Sequence, residues 1–567
     1  MAAGKQSPER DSHLIRAADL FAGEKRYARA EEALKQVNAS LIDTPLLARY
    51  TLLYATIALQ DERYYLARSL LNNEQLALNV GEMGAGQKRT WHQQRGELYA
   101  LLGDHLLSVQ EYSQLSALLD DGTQIAAVHD KIWRALGQVS EQMLGAAART
   151  TTDQTLVGWY QLALYSREAQ GDIARQLDQI AAWRQKNSQH PAARVMPTSL
   201  QRAAEARGAL PQSLALLLPL SGELASAGEA LRDGILAAYY DGMAKGVEPP
   251  AVRIYDSSGS DPSALYDRAV QDGADLVIGP LAKEQLQVLM TRPILEVPLL
   301  GLNYVDDIPN THPNLYQFGL AVGDETRQLA DRAWIHGRRS ALVIRPDTAW
   351  GSNALETFKQ RWDQKGGLLL TTTPYRTDQL DYATFLRSSL LLSDSQERAA
   401  RLQRTLGKNV SYLPRRRQDV DMVFLLAYPE QGRQLKPTLD FLFAGDLPVY
   451  ATSHIYGGSA NPSQDQDLDD IQFTAMPWTI PALAESDIAP HKPLATAYRN
   501  LFAMGVDAYR LHQWLALLKA LPETSIQGRT GSLAMGPENR VTRTQPLAAF
   551  QAGRVIVAPT VVGTAYQ

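Results

Sequence analysis

The sequence predicts an α + α/β multidomain protein, with an N-terminal all-α helical-repeat domain followed by a bilobed α/β domain. Three observations predict it. Leu214 to Leu218 form an unbroken apolar run, as in a parallel strand covered on both faces, and Pro219, Ser221 and Gly222 break the chain directly after it. Leu224, Gly228, Leu231, Ile235 and Ala238 then recur at steps of four and three, which places them on one helical stripe. Ahead of residue 187 the pattern is helical instead, and its polar breaks resemble one another.

Taken in order, residues 1–12 are polar and carry no fold signal, and 13–186 form the helical domain. Tyr27 with Ala30 returns as Tyr64 with Ala67 after 37 residues, and Gly103 returns as Gly171, twice 34 residues on. A period near 34 suits stacked, TPR-like helix pairs, each covering its neighbour's apolar face. Gly137 falls halfway between those glycines but suits a helix interior equally well. Trp91, Trp133, Trp159 and Trp183 with Tyr50, Tyr54, Tyr64 and Tyr65 mark this domain, and are assigned to its core rather than to a site.

Residues 187–212 contain three prolines between two different periodicities and read as the interdomain connection. From 213 to 567 strands and helices alternate. Gly228 lies on the buried helical stripe, where the missing side chain lets the helix approach its sheet. Val252–Tyr255 is the next strand, and Asp261 with Pro262 is an N-cap and N1 pair. Leu276–Ile278, Pro298–Leu302 and Leu315–Phe318 follow. After a helix around Glu325 to Trp334 the alternation restarts with Ala341–Ile344, Leu368–Thr372, Met422–Leu426 and Val449–Ala451. Two runs of βα units imply two lobes. Ala548–Phe550 and Val555–Val557 flank Gln551, Ala552 and Gly553 as a hairpin.

At 567 residues the chain exceeds the roughly 250 to 300 residues at which a single core stops growing. Its net charge of −5 falls on residues 211–567, so no broad basic surface exists for nucleic acid or an anionic membrane. With no cysteine, disulfides, thiolate metal sites and a thiol nucleophile are excluded. Met1 to Glu9 has no apolar signal core, and the polar start resembles a point from which an export segment was removed.

GxGxxG, GxxxxGK[ST], HExxH and GxSxG are all missing, as is the SxxK nucleophile pair of penicillin-interacting enzymes. The ten histidines show no metal-ligand spacing. No cofactor is therefore expected, and binding is the better class than catalysis.

The LPLSG turn, VIGPL at Val277–Leu281, VPLLGLN at Val297–Asn303 and DTAWG at Asp347–Gly351 resemble type I periplasmic binding proteins. With a helical-repeat domain ahead, the whole chain resembles the outer-membrane lipoproteins that activate a class A penicillin-binding protein. That resemblance implies a noncatalytic periplasmic partner of the synthase that stimulates its transpeptidase activity. It also implies anchoring to the inner leaflet of the outer membrane through a lipidated N-terminal cysteine, a residue this chain lacks. The alternative is a solute receptor that holds an amino acid or peptidoglycan fragment between its lobes.

By motif, the resemblance lines a cleft with Ser221, Gly222, Pro280, Asn303 and Tyr304 from one lobe, and Asp347, Trp350 and Tyr428 from the other. Backbone N–H groups at Ser221 and Gly222, near a helix N-terminus, suit a carboxylate. The bland reading is that these residues only make the turns. A second candidate site is the stretch of Arg398, Arg401, Arg404, Lys408, Arg415, Arg416 and Arg417, which contains no Asp or Glu and is expected to orient an acidic patch on the partner. Its bland reading is a solvated helix and loop.

Overall fold

The computed structural model describes residues 9–168, 173–205, 210–306, 308–378, 381–408, 411–484, 488–491, 494–522 and 524–558. Helix pairs build the first part: Glu9–Gly23 with Tyr27–Leu34, Thr44–Gln60 with Tyr64–Leu71, and Ala85–Leu102 with His105–Ser116. The two repeated tyrosines each open the second helix of a pair. Their companions Ala30 and Ala67 are fully buried, because only a methyl group fits where paired helices touch. Gly103 caps its helix at φ 88°; Gly171 lies outside the described residues. Gly137 ends a helix, Gly122–Gly137.

Two apolar cores fill the helical region, one spanning Leu14 to Leu102 and one spanning Val109 to Leu200. Trp91 lies in the first, and Trp159 and Trp183 in the second. Residues 187–212 are more than a bare connection. Their short helices Pro191–Arg194 and Thr198–Glu205 put Ala192, Ala193, Met196 and Leu200 into the second core.

The first sheet-forming strand is β1 (Ser213–Leu218), followed by β2 (Ala251–Asp256), β3 (Leu276–Ile278), β4 (Leu299–Gly301) and β5 (Leu315–Phe318). Then come β6 (Ser340–Pro346), β7 (Leu368–Tyr375), β8 (Met422–Leu425), β9 (Val449–Ala451) and β10 (Ile471–Thr474). Five further strands follow: β11 (Ser525–Gln527), β12 (Ser532–Met535), β13 (Arg540–Thr544), β14 (Leu547–Gln551) and β15 (Arg554–Val557). They form two sheets, ordered β11-β12-β13-β5-β4-β3-β1-β2 and β15-β14-β10-β9-β8-β6-β7.

The parallel centre of each sheet has the same order, β2-β1-β3-β4-β5 in lobe 1 and β7-β6-β8-β9-β10 in lobe 2. Each is a doubly wound half whose order reverses beside its first strand, which opens a crevice at the carboxyl ends of β1 and β3, or of β6 and β8. Among the described residues the chain crosses between lobes three times, after β5, β10 and β13. The expected hairpin is present: β14 and β15 pair antiparallel around Ala552 and Gly553, both at positive φ.

Both lobes begin with one device. The helix Ala225–Ala244 crosses the turn so closely that a Cβ on Gly228 would sit 1.8 Å from the Pro219 carbonyl oxygen. In lobe 2 a Cβ on Gly351 would sit 2.2 Å from that of Pro346. The expected close approach at Gly228 is thus real, and its partner is the turn that leaves the strand.

Candidate functional site

The two switch points collect most of the cleft candidates. In lobe 1, Asp256 at the end of β2 accepts from the Leu220 amide at 2.9 Å and the Ser221 hydroxyl at 2.8 Å. The Ser221 amide donates to Ser258 Oγ at 3.3 Å. The bond from Leu220 first, then one from the Ser258 amide at 2.9 Å and that from the Ser221 hydroxyl, hold the Asp256 carboxyl far below its ordinary range. The turn predicted to receive a carboxylate already holds one from its own sheet. Gly222, at φ 71°, is exposed beside it.

Pro280 is buried, and its carbonyl accepts from Leu302 N at 3.0 Å. Asn303 donates to the Leu281 carbonyl at 3.0 Å and accepts from the Tyr304 amide at 2.9 Å. Tyr304 is 5% exposed, and its hydroxyl donates to the Val541 carbonyl at 2.7 Å. It therefore ties β13 to lobe 1 instead of facing an open cleft. Arg540 covers its ring at 5.0 Å.

Lobe 2 presents a different wall. Thr348 caps the helix Ala349–Lys365, which sets Trp350 in its first turn directly after the exposed Asp347. Tyr428, beyond the end of β8, stacks on Trp350 with centroids 5.3 Å apart, and His454 completes the group at 4.7 Å from Trp350. Tyr428 is 45% exposed, and Trp350 Nε1 is buried with no hydrogen-bond partner among the described residues. Burial lowers the His454 pKa, against the opposing pull of Glu325. Glu325 itself is clamped by the Ser453 amide, the Ser453 hydroxyl and Thr474 at 2.9, 3.0 and 3.2 Å. His454 carried no motif; it lies beyond β9 in the short helical turn Ser453–Ile455.

Among the described residues, no hydrogen bond or ring contact joins the lobe 1 candidates to those of lobe 2. A cavity of ≈ 400 Å³ lies elsewhere, between the helical region and lobe 1, where Trp133, Arg167 and Gln176 face Trp514, Leu521 and Gln527.

The basic stretch splits in two. Arg398, Arg401 and Arg404 stand exposed on the helix Leu392–Leu406, and Lys408 and Arg415 are exposed beyond it. Arg416 is 8% exposed, donating to the Phe443 carbonyl at 3.1 Å and pairing with Asp446. Arg417 pairs with Asp419 at 2.7 Å, a contact that raises its own pKa and lowers that of Asp419. The stretch lacks acids in sequence, yet the fold supplies counter-ions to its last two arginines.

Contacts of the helical region with both lobes had no sequence signal. Glu62 meets Lys365 of lobe 2 at 3.1 Å, and Arg332 reaches the Leu102 carbonyl at 3.5 Å. On the other side Gln138 donates to Ser532 at 3.2 Å and Arg175 to the Lys245 carbonyl at 3.1 Å, both in lobe 1.

Twin doubly wound lobes joined by three crossings among the described residues, behind stacked helix pairs, define a two-lobed module with a periplasmic-binding-protein-like fold, carried on a helical-repeat domain. The chain belongs to the family described as "LppC putative lipoprotein", which matches residues 1–553. Among curated relatives, the penicillin-binding protein activator LpoA of Vibrio cholerae is 25% identical over 545 residues, covering 95% of this chain and 89% of that protein. LpoA of Photobacterium profundum is 25% identical over 93% of this chain and 86% of its own length. A crystal form of Haemophilus influenzae LpoA covers 98% of this chain and 96% of that one, with 20% identity and a TM-score of 0.50, and shares the fold. No helix among the described residues is long and apolar enough to cross a membrane.

Proposed function

We propose that this chain is a noncatalytic regulator of peptidoglycan synthesis that binds a class A penicillin-binding protein in the periplasm and stimulates its transpeptidase activity. The observation that carries the reading is likeness to the Vibrio cholerae activator across 95% of the chain, helical part and lobes together. Membership of a lipoprotein family supports a lipid anchor in the outer membrane, which leaves the described chain free to reach its partner. In this division of labour residues 13–186 give reach, 187–212 connect, and 213–567 grip the synthase.

Of the basic stretch, Arg398, Arg401, Arg404, Lys408 and Arg415 orient the partner, while Arg416 and Arg417 brace the surface beneath them. The lobe 2 wall of Asp347, Trp350 and Tyr428 is a second contact face. Internal bonding commits the Ser221 hydroxyl, Asn303 amide and Tyr304 hydroxyl of lobe 1 to the fold, which disfavours a small solute there.

Stimulation requires tighter binding to the active conformation of the synthase than to the inactive one, since equal affinity shifts nothing. A coupling of about 1 to 3 kcal/mol corresponds to roughly 5 to 150-fold activation. Adding the purified chain to a class A synthase and counting peptide cross-links tests this: the rate rises within that range, and an unchanged rate refutes the proposal.

A further inference from the structure

The helix Pro429–Phe441 ends in lobe 2 on a turn that exposes apolar side chains where glycine is the ordinary choice. The Ala444 amide donates to the Leu439 carbonyl at 2.9 Å and the Phe443 amide to that of Asp440 at 3.2 Å, the two bonds of a Schellman motif. The residue at its left-handed position is Phe443, at φ 61°. A side chain there is strained where glycine is not. Little burial offsets that strain: Leu442 and Ala444 are buried, but Phe443 is 58% exposed. Phe441, two residues earlier, is 69% exposed.

The buried Arg416 clasps this turn through the Phe443 carbonyl and Asp446. Three residues before Arg416, Leu413 is 80% exposed, and Tyr412 beside it is also exposed. The clasp thus fixes two segments whose apolar side chains point outward on either side of it. Such an assembly, rigid and aromatic with an arginine beneath, has the composition of an interface centre and not of ordinary protein surface.

The charge around it is net positive: Arg398, Arg401, Arg404, Lys408 and Arg415 are exposed against Asp394 and Glu397 on the helix Leu392–Leu406. Asp446 is taken by Arg416, and Asp440 by Lys436 at 2.7 Å. Arg415 and Arg398 have no ion pair among the described residues. The Arg415 amide donates to Ser395 Oγ at 3.4 Å, which sets Arg415 beside the turn of helix that leads to Arg398.

We infer that Leu413, Phe441 and Phe443, held by Arg416 and rimmed by Arg415 and Arg398, form a docking surface for a protein segment with an apolar ridge flanked by carboxylates. The inference rests on the reading that the partner is the synthase, and it adds where that partner docks and what it must display. A protein fits better than an anionic membrane. Asp440 and Asp446 are paired with Lys436 and Arg416 but keep side chains 45% and 69% exposed beside the aromatic pair, so a flat anionic headgroup layer would be pressed against carboxylates. A protein segment can set its carboxylates against the arginines alone.

The full chain and its variants are tested for binding to a purified class A synthase, and separately to phosphatidylglycerol vesicles, with the melting temperature recorded for each variant. Phe443→Gly relieves the strained turn, so its melting temperature is expected to stay or rise while synthase affinity falls at least tenfold. Leu413→Ser with Phe441→Ser weakens binding similarly without unfolding the chain. Unaltered affinity of these variants overturns the docking surface and leaves the synthase reading intact. Failure of the unaltered chain to bind the synthase overturns both. Vesicle binding that the variants lose, with synthase binding kept, overturns the protein partner in favour of lipid.

Discussion

At the scale of single residues, the arginines of 398–417 show that side chains adjacent in sequence can have opposite tasks. Arg415 projects into solvent, whereas Arg416 is 8% exposed and bonds to Asp446 and the Phe443 carbonyl. Removing Arg416 leaves an acceptor unsatisfied and a carboxylate without its counter-ion. Asp446 is largely exposed and can turn to water, so the cost stays below that of a fully buried pair. Arg416→Ala is expected to lose about 2 kcal/mol of stability in urea denaturation, and Arg398→Ala less than about 0.5 kcal/mol. Equal losses would contradict the assignment of Arg416 to the fold. The same reasoning moves Tyr304 out of the cleft, because its hydroxyl is committed to Val541.

At the scale of elements, one strand, turn and helix unit opens each lobe, and a glycine in the helix lets the turn's proline carbonyl come within contact. With a Cβ only 1.8 Å from the Pro219 oxygen, Gly228→Ala forces backbone to move. Gly351→Ala does the same at 2.2 Å from Pro346. Each is expected to destabilise by about 2 to 3 kcal/mol despite the better helix propensity of alanine. Thermal melts of the two variants check this, and a gain in either would mean that the helix can slide. Gly228 was legible in sequence because its stripe was. By contrast, β10 to β13 escaped notice: they have three to five residues each, and several carry polar side chains such as Ser525, Gln527, Arg540 and Arg543. β11, β12 and β13 pair with one another locally, but their place in the sheet comes from a distant partner, as β13 joins β5 in parallel through Arg540 and Gln317.

At the scale of the whole molecule, the helical region touches lobe 2 with its first half and lobe 1 with its second. Two histidines mark the lobe 2 side. His105 has its pKa lowered to about 4, first by burial and then by Arg332. His336 is lowered to about 3 by burial, Arg332 and Arg338. Both are neutral in the folded chain and titrate near 6.5 when unfolded, so the unfolded chain binds more protons below that value. Their contribution is complete above pH 6.5 and is lost as pH falls towards 4 and then 3. At pH 5 the loss is roughly 2 kcal/mol per group. Denaturation midpoints measured from pH 7.5 to 5 are expected to fall, and His336→Gln is expected to flatten the curve. A profile that is level in the unaltered chain would contradict this account.

The sequence by itself determined the two-part order, helix pairs before alternating strands and helices, because burial on a face imposes a period that survives in one dimension. It also located Tyr27, Tyr64, Asp261 and the turns beyond β1 and β6, whose conformations are set within a few residues. Only the tertiary structure decided which side chains remained open for recognition. Asp256 filling the turn at Ser221, Asp446 burying Arg416, and His454 completing the aromatic wall of lobe 2 are all meetings of residues far apart in the chain. A donor's availability depends on the neighbour that folding brings to it, and no local pattern of residue types records that neighbour.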